Sequence, residues 1–242
     1  MSKRIAALTD RGLRRATNED SVLAQELPHD FVLLAVADGV GGLPHGDIAS
    51  DETVHVLHDE ILKARIDDPA EALDRAIAMA NRRLRDLSRE DSEPAGMAST
   101  LVAALVRDGT AWVANAGDSR AYLLHDERLQ QISRDHSLVA EQVRAGVLTA
   151  EEAETSASRS VIVRGIGVEE TIEPYSAGPI HLPAGSVLLL CSDGLYRVVS
   201  DERIAEVLSS GTPAEMAERL IELANQAGGP DNIAVVIMQA SA

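Results

Sequence analysis

Val32-Leu33-Leu34-Ala35-Val36-Ala37-Asp38-Gly39-Val40-Gly41-Gly42 is the stretch on which the fold turns. The apolar run from Val32 to Ala37 is rich in branched side chains and reads as a strand buried on both faces. It ends on one carboxylate, Asp38, and three glycines fall in the next four positions. Glycine there makes a turn in which backbone can approach a ligand closely. Alone, the stretch reads as a turn with a solvated carboxylate, because short motifs recur by chance. Recurrence of the same design elsewhere changes that balance.

Outward from this strand, residues 5–9 and 20–25 alternate weakly and suggest two more, joined by a polar loop. Downstream, Val54, Leu57 and Ile61 fall on one stripe of a helix from Asp47 to Arg65. Leu73, Ala76, Ile77, Ala80, Leu84 and Leu87 keep a 3.6-residue period after Pro69. The arginines Arg82, Arg83, Arg85 and Arg89 fall on that helix's outer sides. Strands are expected near 99–106 and 110–116, then over Ala121–His125 and Leu129–Ile132 as a hairpin. Asp135 is the expected N-cap of a helix over 137–145 ended by Gly146. Thr149 with Glu152, and Thr212 with Glu215, spell capping boxes, the second with Pro213 at the first helical position. Residues 155–170 are polar and read as a mobile surface segment. Ser186–Cys191 is a second continuous apolar strand, Ser200 caps a helix over 201–209, and Ile233–Met238 closes the chain as a strand.

The chain has 242 residues, 45% hydrophobic and 25% charged, an ordinary globular balance. Neither repeat nor linker interrupts it, so one domain over residues 1–242 is expected. Aromatic content is 2%, so the core must be aliphatic. A net charge of −17 argues against nucleic acid, which needs a basic stripe, and against an anionic membrane surface. Excess carboxylate suits a protein that collects divalent cations. Cys191 is the single cysteine, which excludes an internal disulfide. No apolar run reaches the length of a membrane span, and no apolar segment follows Met1-Ser2-Lys3-Arg4-Ile5 as in a secretion leader. A cytoplasmic protein is expected.

Asp38 is one of four carboxylates in a shared setting. Asp118 follows Ala116-Gly117 at the end of a strand. Asp193 follows the apolar run to Cys191 and precedes Gly194. Asp231 follows Gly228-Gly229-Pro230 and precedes the closing strand. Each sits at a strand end with little bulk around it. Oxygen ligands suit hard cations such as Mg²⁺ or Mn²⁺. Crowded carboxylates repel one another unless metal or protons intervene. Two ions about 4 Å apart clamp a phosphoryl group well.

Arg15-x-x-Asn18-Glu19-Asp20, Asp38-Gly39-x-Gly41-Gly42, Gly117-Asp118-Ser119-Arg120, Ser192-Asp193-Gly194 and Gly229-Pro230-Asp231-Asn232 occur in one order. In that order the chain resembles the metal-dependent (PPM, type 2C) serine/threonine protein phosphatases, as a bacterial stand-alone catalytic domain, over residues 9 to 238. The resemblance implies an α+β fold, a four-layer αββα sandwich of two antiparallel sheets flanked by helices. It implies two to three Mn²⁺ or Mg²⁺ ions: Asp38, Asp193 and Asp231 on one, Asp38 and the Gly39 carbonyl on a second, Asp118 with Asp193 on a weaker third. Glu19, Asp20 and Asn232 would support that shell, the first two through metal-bound waters. Arg15, five residues before Asp20, would bind the substrate phosphate through its planar fork, in preference to its neighbour Arg14. The implied catalytic set is Arg15, Asp38, Asp193 and Asp231. A metal-bridging hydroxide would attack phosphorus directly, without a phosphoenzyme. The implied partners are proteins phosphorylated on serine or threonine and a cognate serine/threonine kinase, met by a monomer. A variable flap near 140–167 would influence substrate choice.

Two departures bear on the proton for the leaving group. Many eukaryotic members have His where this chain has Val40, and many bacterial members have His at Leu43. Water then becomes the expected donor, with His45 as a weaker candidate. A different chemistry is also spelled out: Cys191 and Arg197 fit Cys-x5-Arg, the signature of cysteine-dependent phosphatases. Asp193 in the middle of that cradle would repel phosphate, and a reactive thiolate needs positive surroundings. A non-catalytic phosphoprotein-binding regulator on the same scaffold is the third reading.

Overall fold

The computed structural model describes residues 4–41, 45–90 and 96–240. Two strands, β1 (Ile5–Asp10) and β2 (Asp20–Glu26), precede the decisive stretch, which forms β3 (Val32–Asp38). Helices α1 (Gly46–Lys63) and α2 (Pro69–Glu90) follow. Next come β4 (Leu101–Arg107), β5 (Thr110–Ala116), β6 (Arg120–His125) and β7 (Arg128–Gln131). Two short helices, α3 (Leu138–Arg144) and α4 (Ala150–Thr155), lead to β8 (Tyr175–His181) and β9 (Val187–Cys191). The chain ends with α5 (Asp193–Tyr196), α6 (Asp201–Leu208), α7 (Pro213–Gln226) and β10 (Ile233–Gln239).

The strands form two antiparallel five-stranded sheets, β1-β10-β9-β6-β7 and β2-β3-β4-β5-β8. The two-residue period of a strand sorts their side chains into layers. In β3, Leu34 and Val36 face the other sheet and meet Leu188, Leu190, Ala234 and Val236 there. Leu33, Ala35 and Ala37 face outward, under Leu57 and Ile61 of α1 and Leu73 and Ile77 of α2. Across the molecule, Leu189, Cys191, Val235 and Ile237 face outward under Ile204 of α6 and Met216 and Leu220 of α7. Helix, sheet, sheet, helix is the expected α+β sandwich. Each fully buried Leu or Ile is worth roughly 2 kcal/mol. The core is aliphatic as expected, with Tyr122 the only aromatic among its largest fully buried side chains.

Local signals held where a cap or a continuous apolar run carried them. Both capping boxes form, Thr149 with Glu152 and Thr212 with Glu215. Two expectations need correction, and one strand had no signal in the sequence. Ser137, not Asp135, caps α3, accepting from the Ala140 amide at 3.3 Å. Asp135 is taken by Arg120, whose Nη2 and Nε lie 2.7 and 3.1 Å away, because a half-buried guanidinium needs a counter-charge. Residues 155–170 are not loose. Ile162 bridges to Ser137 and Ile166 to Ser99, and Ile166 is fully buried. Strand β8 carries Gly178-Pro179 in its middle, a pattern that hides it. It lies at the edge of its sheet, where a proline without N–H is tolerated.

Candidate active site

The inner layer of the sandwich ends in carboxylates. In the β2–β3 register Asp20 lies directly opposite Asp38. By strand parity Asp38 shares the inter-sheet face with Leu34 and Val36. Strand β9 then delivers Ser192, whose hydroxyl donates to Asp20 Oδ2 at 2.7 Å and accepts from the Ala234 amide at 2.9 Å. One residue later Asp193 opens α5. Asp118 arrives from the turn between β5 and β6, and Asp231 from the turn before β10. A pocket of about 170 Å³ results, with Arg15, Glu19, Asp38, Asp118, Asp193 and Asp231 on its wall. Of the two neighbouring arginines, Arg15 is on that wall and Arg14 is not.

Backbone contacts hold these side chains in place. The Asp38 amide donates to Thr100 Oγ1 at 3.0 Å, and its carbonyl accepts from the Thr100 amide at 2.8 Å. Gly39 lies so close to α1 that a β-carbon would come 2.2 Å from the Gly46 carbonyl oxygen, which no side chain could accept. Asn232 staples the Arg11–Glu19 loop to the site. Its Nδ2 donates to the carbonyls of Arg11 and Thr17, each at 2.9 Å, and its Oδ1 accepts from the Glu19 amide at 2.9 Å. Its amide group is thus committed to backbone. Thr100 and Ser192 are the supports that the sequence did not single out for a role. Their partners lie 62 and 172 residues away in the chain.

Charge is the dominant feature of the pocket. Burial pushes Asp38 well above the ordinary carboxylate range, and Asp20, Asp193, Asp118 and Asp231 add to it. Burial raises Asp20 to about 8 against the opposing hydrogen bond from Ser192. Burial raises Asp118 to about 7, with Asp193 adding and Arg197 opposing. Asp193 is raised by burial, with Arg197 opposing. Such a cluster holds protons or a cation. Two arginines answer part of the charge. Arg15 Nη2 lies 2.8 Å from Asp231 Oδ2. Arg197 Nη2 lies 2.9 Å from Asp118 Oδ2, and its Nε 2.9 Å from Asp193 Oδ2.

Among the described residues, no three carboxylate, imidazole or thiol groups are already gathered as a ready ligand set. The chemistry of the wall nonetheless suits hard divalent cations. Its acidic donors are all oxygen, and behind the wall, opposite Asp38, Asp20 Oδ1 is a buried acceptor with no hydrogen-bond partner.

The remaining sequence expectations sort themselves by position. Val40 lines the pocket and brings no proton. His45 stands just before α1 at φ 61° and is not on the pocket wall. Gly42 and Leu43 lie outside the described residues. Cys191 is fully buried on the outer face of β9, packed in the layer of α6 and α7. Burial drives its thiol far above the ordinary range, and Arg197 is bound to Asp118 and Asp193. Cys191 and Arg197 therefore form no phosphate cradle, which removes the cysteine-dependent reading.

Comparison with known proteins agrees with this geometry. The family model described as Protein phosphatase 2C matches residues 13–228. The serine/threonine protein phosphatase PstP of Mycobacterium tuberculosis is 41% identical over 243 residues, covering 97% of this chain. The chain spans 44% of that relative's length, less than half. The serine/threonine phosphatase stp of Listeria monocytogenes is 36% identical over 236 residues, covering 96% of this chain and 93% of the relative. The solved catalytic domain of PstP in complex with two manganese ions superposes with a TM-score of 0.85 at 39% identity, covering 98% of each chain.

Proposed function

The chain belongs to the protein phosphatase 2C family, and on that premise we propose that it hydrolyses phosphoserine and phosphothreonine in proteins. The observation that carries this reading is the convergence of Asp38, Asp118, Asp193 and Asp231 with Arg15 on one small pocket wall. In this reading Asp38, Asp193 and Asp231, with the Gly39 carbonyl, would hold two Mn²⁺ or Mg²⁺ ions, and Asp118 with Asp193 a weaker third. Bound there, the ions supply positive charge against phosphoryl oxygens and lower the pKa of water.

Each of the chain's own groups has a task in that arrangement. Arg15 is 41% exposed at the pocket mouth, so its fork is open to an incoming phosphate while Asp231 fixes its position. Asp20 offers its free buried oxygen to a water, held in register by Ser192. Glu19 lines the wall beside it. Asn232 keeps the loop that carries Arg15 and Glu19 against the turn that carries Asp231. With Val40 in place of an acid and His45 off the wall, the leaving oxygen takes its proton from water.

The acting unit in this reading is a monomer. No helix among the described residues is long and apolar enough to cross a membrane. We place the enzyme in the cytoplasm, acting as one catalytic domain opposite a cognate serine/threonine kinase. The deciding experiment is hydrolysis of an aryl phosphate and of a phosphothreonine peptide, with Mn²⁺ and with chelator. Activity with Mn²⁺ and none with chelator is expected. Absence of hydrolysis with either ion would return the scaffold to the non-catalytic phosphoprotein binder.

A further inference from the structure

Arg197 entered the sequence as half of a motif that the structure dismantles, and it has no part in the chemistry above. Its position asks for another role. It follows α5 immediately, one helical turn after Asp193, and its amide donates to the Asp193 carbonyl at 3.1 Å. The guanidinium then makes four contacts in two directions. Toward the pocket it meets Asp193 Oδ2 and Asp118 Oδ2, each at 2.9 Å. Toward the 156–163 segment, Nη1 donates to Ser160 Oγ at 2.5 Å and Nη2 to the Arg159 carbonyl at 3.2 Å. Asp118 and Asp193 are nearly buried, and the Arg197 side chain is 22% exposed. Ser160 itself lines the carboxylate pocket.

One planar cation therefore spans the two carboxylates of the weakest proposed metal site and the segment that passes over them. We propose that Arg197 is a resident cation at the Asp118–Asp193 pair, and that it latches the 156–163 segment to the pocket. The inference rests on the metal assignments above. An incoming divalent ion at that pair competes with Arg197 for the same oxygens. Displacing the guanidinium removes its grip on Arg159 and Ser160 in the same movement. Occupancy of the third position and attachment of the flap are then alternatives. The remaining two ion positions, on Asp38, Asp193 and Asp231, do not require Asp118, and of their ligands only Asp193 is shared with the latch. Arg197 is a positioning residue in this scheme, since it touches neither substrate nor leaving group.

The test uses the whole chain. Mn²⁺ is titrated calorimetrically into the wild type and Arg197→Ala, and amide exchange is followed over residues 156–163 without metal. Arg197→Ala is expected to tighten the weakest Mn²⁺ step about tenfold, as removal of one competing charge does. Exchange in 156–163 should quicken in the same variant, with the sheets unchanged. Arg197→Gln, which keeps the first three carbons of the stem but neither the charge nor the reach to Ser160, is expected to tighten Mn²⁺ binding and to loosen the segment as Arg197→Ala does. It also serves as the reporter should Arg197→Ala fold poorly. A merely structural arginine would alter exchange and thermal stability without adding Mn²⁺ affinity. An unchanged isotherm, or an unchanged exchange pattern in 156–163, overturns the proposal. Failure of the phosphatase reading itself would appear separately, as a wild type inactive on aryl phosphate whose isotherms still differ.

Discussion

The carboxylate pocket and the cavity beneath α3 and α4 meet at Asp118, yet they differ in size, charge and anchorage. The pocket measures about 170 Å³ and the cavity about 880 Å³. Strand ends from both sheets wall the first, continuous with the buried core. Short helices wall the second: α3 buries only Val139, and α4 buries no residue. The pocket gathers carboxylates. The cavity gathers five arginines against three carboxylates, inside a chain of net charge −17. The difference teaches a division of labour. Groups that must hold fixed positions stand at the ends of strands that cannot shift without breaking the core, whereas the short helices over the cavity are pinned at a few points.

Substitution of Asp38 strains that comparison hardest. Asp38→Asn should lower kcat/KM on aryl phosphate by about 10³-fold or more, because the proposed ions lose their shared ligand. The fold should survive, since a buried like-charge cluster loses one member. A change in the cavity wall should act differently. Arg134→Glu, in the cavity wall, is expected to lower kcat/KM several-fold on an acidic phosphopeptide through lost attraction, roughly threefold to tenfold. Aryl phosphate, which does not reach the cavity, should be turned over as before. Equal losses on both substrates would erase the division.

Much of this arrangement was legible in the sequence because it is local. Continuous apolar runs announced β3, β9 and β10, and capping boxes announced α4 and α7. The carboxylates were legible because each follows or precedes such a run within two residues of a glycine. What could not be read depends on partners far apart in the chain. Asp135 looks like a helix cap until Arg120 is placed beside it. Ser192 gains a role only when Asp20, 172 residues earlier, is opposite. Arg197 looked like half of a thiol-phosphatase motif, because a pattern of spacing is blind to the face of β9 on which Cys191 lies. Strand β8 is hidden by Gly178-Pro179, which an edge position allows.

The two regions also respond oppositely to pH. Burial, aided by Arg164 and Arg144, pushes His136 beneath the flap down to about 4, against 6.5 in the unfolded chain. Between those values the unfolded state binds the extra proton. Stability from this group is therefore complete above about 6.5 and is lost as pH falls toward about 4. Asp20 and Asp118, raised from 3.8 to about 8 and about 7, act the other way in metal-free protein: their contribution is complete below about 3.8 and is lost as pH rises toward the raised values. Thermal midpoints of metal-free wild type and His136→Gln from pH 4 to 8 separate the two. The variant should lose the acid-side decline and keep the alkaline one. Parallel curves would show that His136 is not held neutral by its surroundings.

Cys191→Ser sets the smallest effect. Activity with Mn²⁺ should be retained, and stability should drop by about 1–2 kcal/mol because a hydroxyl enters an apolar layer. Loss of turnover in a variant of unchanged fold would revive the thiol chemistry that the geometry excludes.

In the proposed reading, carboxylates at the sandwich mouth form a divalent-metal site built on Asp38. Calorimetric titration of Mn²⁺ into the wild type and into Asp38→Asn tests it most directly. Saturable binding in the wild type, with the tightest steps abolished in Asp38→Asn at unchanged circular dichroism, is the expected result. Superimposable isotherms from the two proteins would contradict the account.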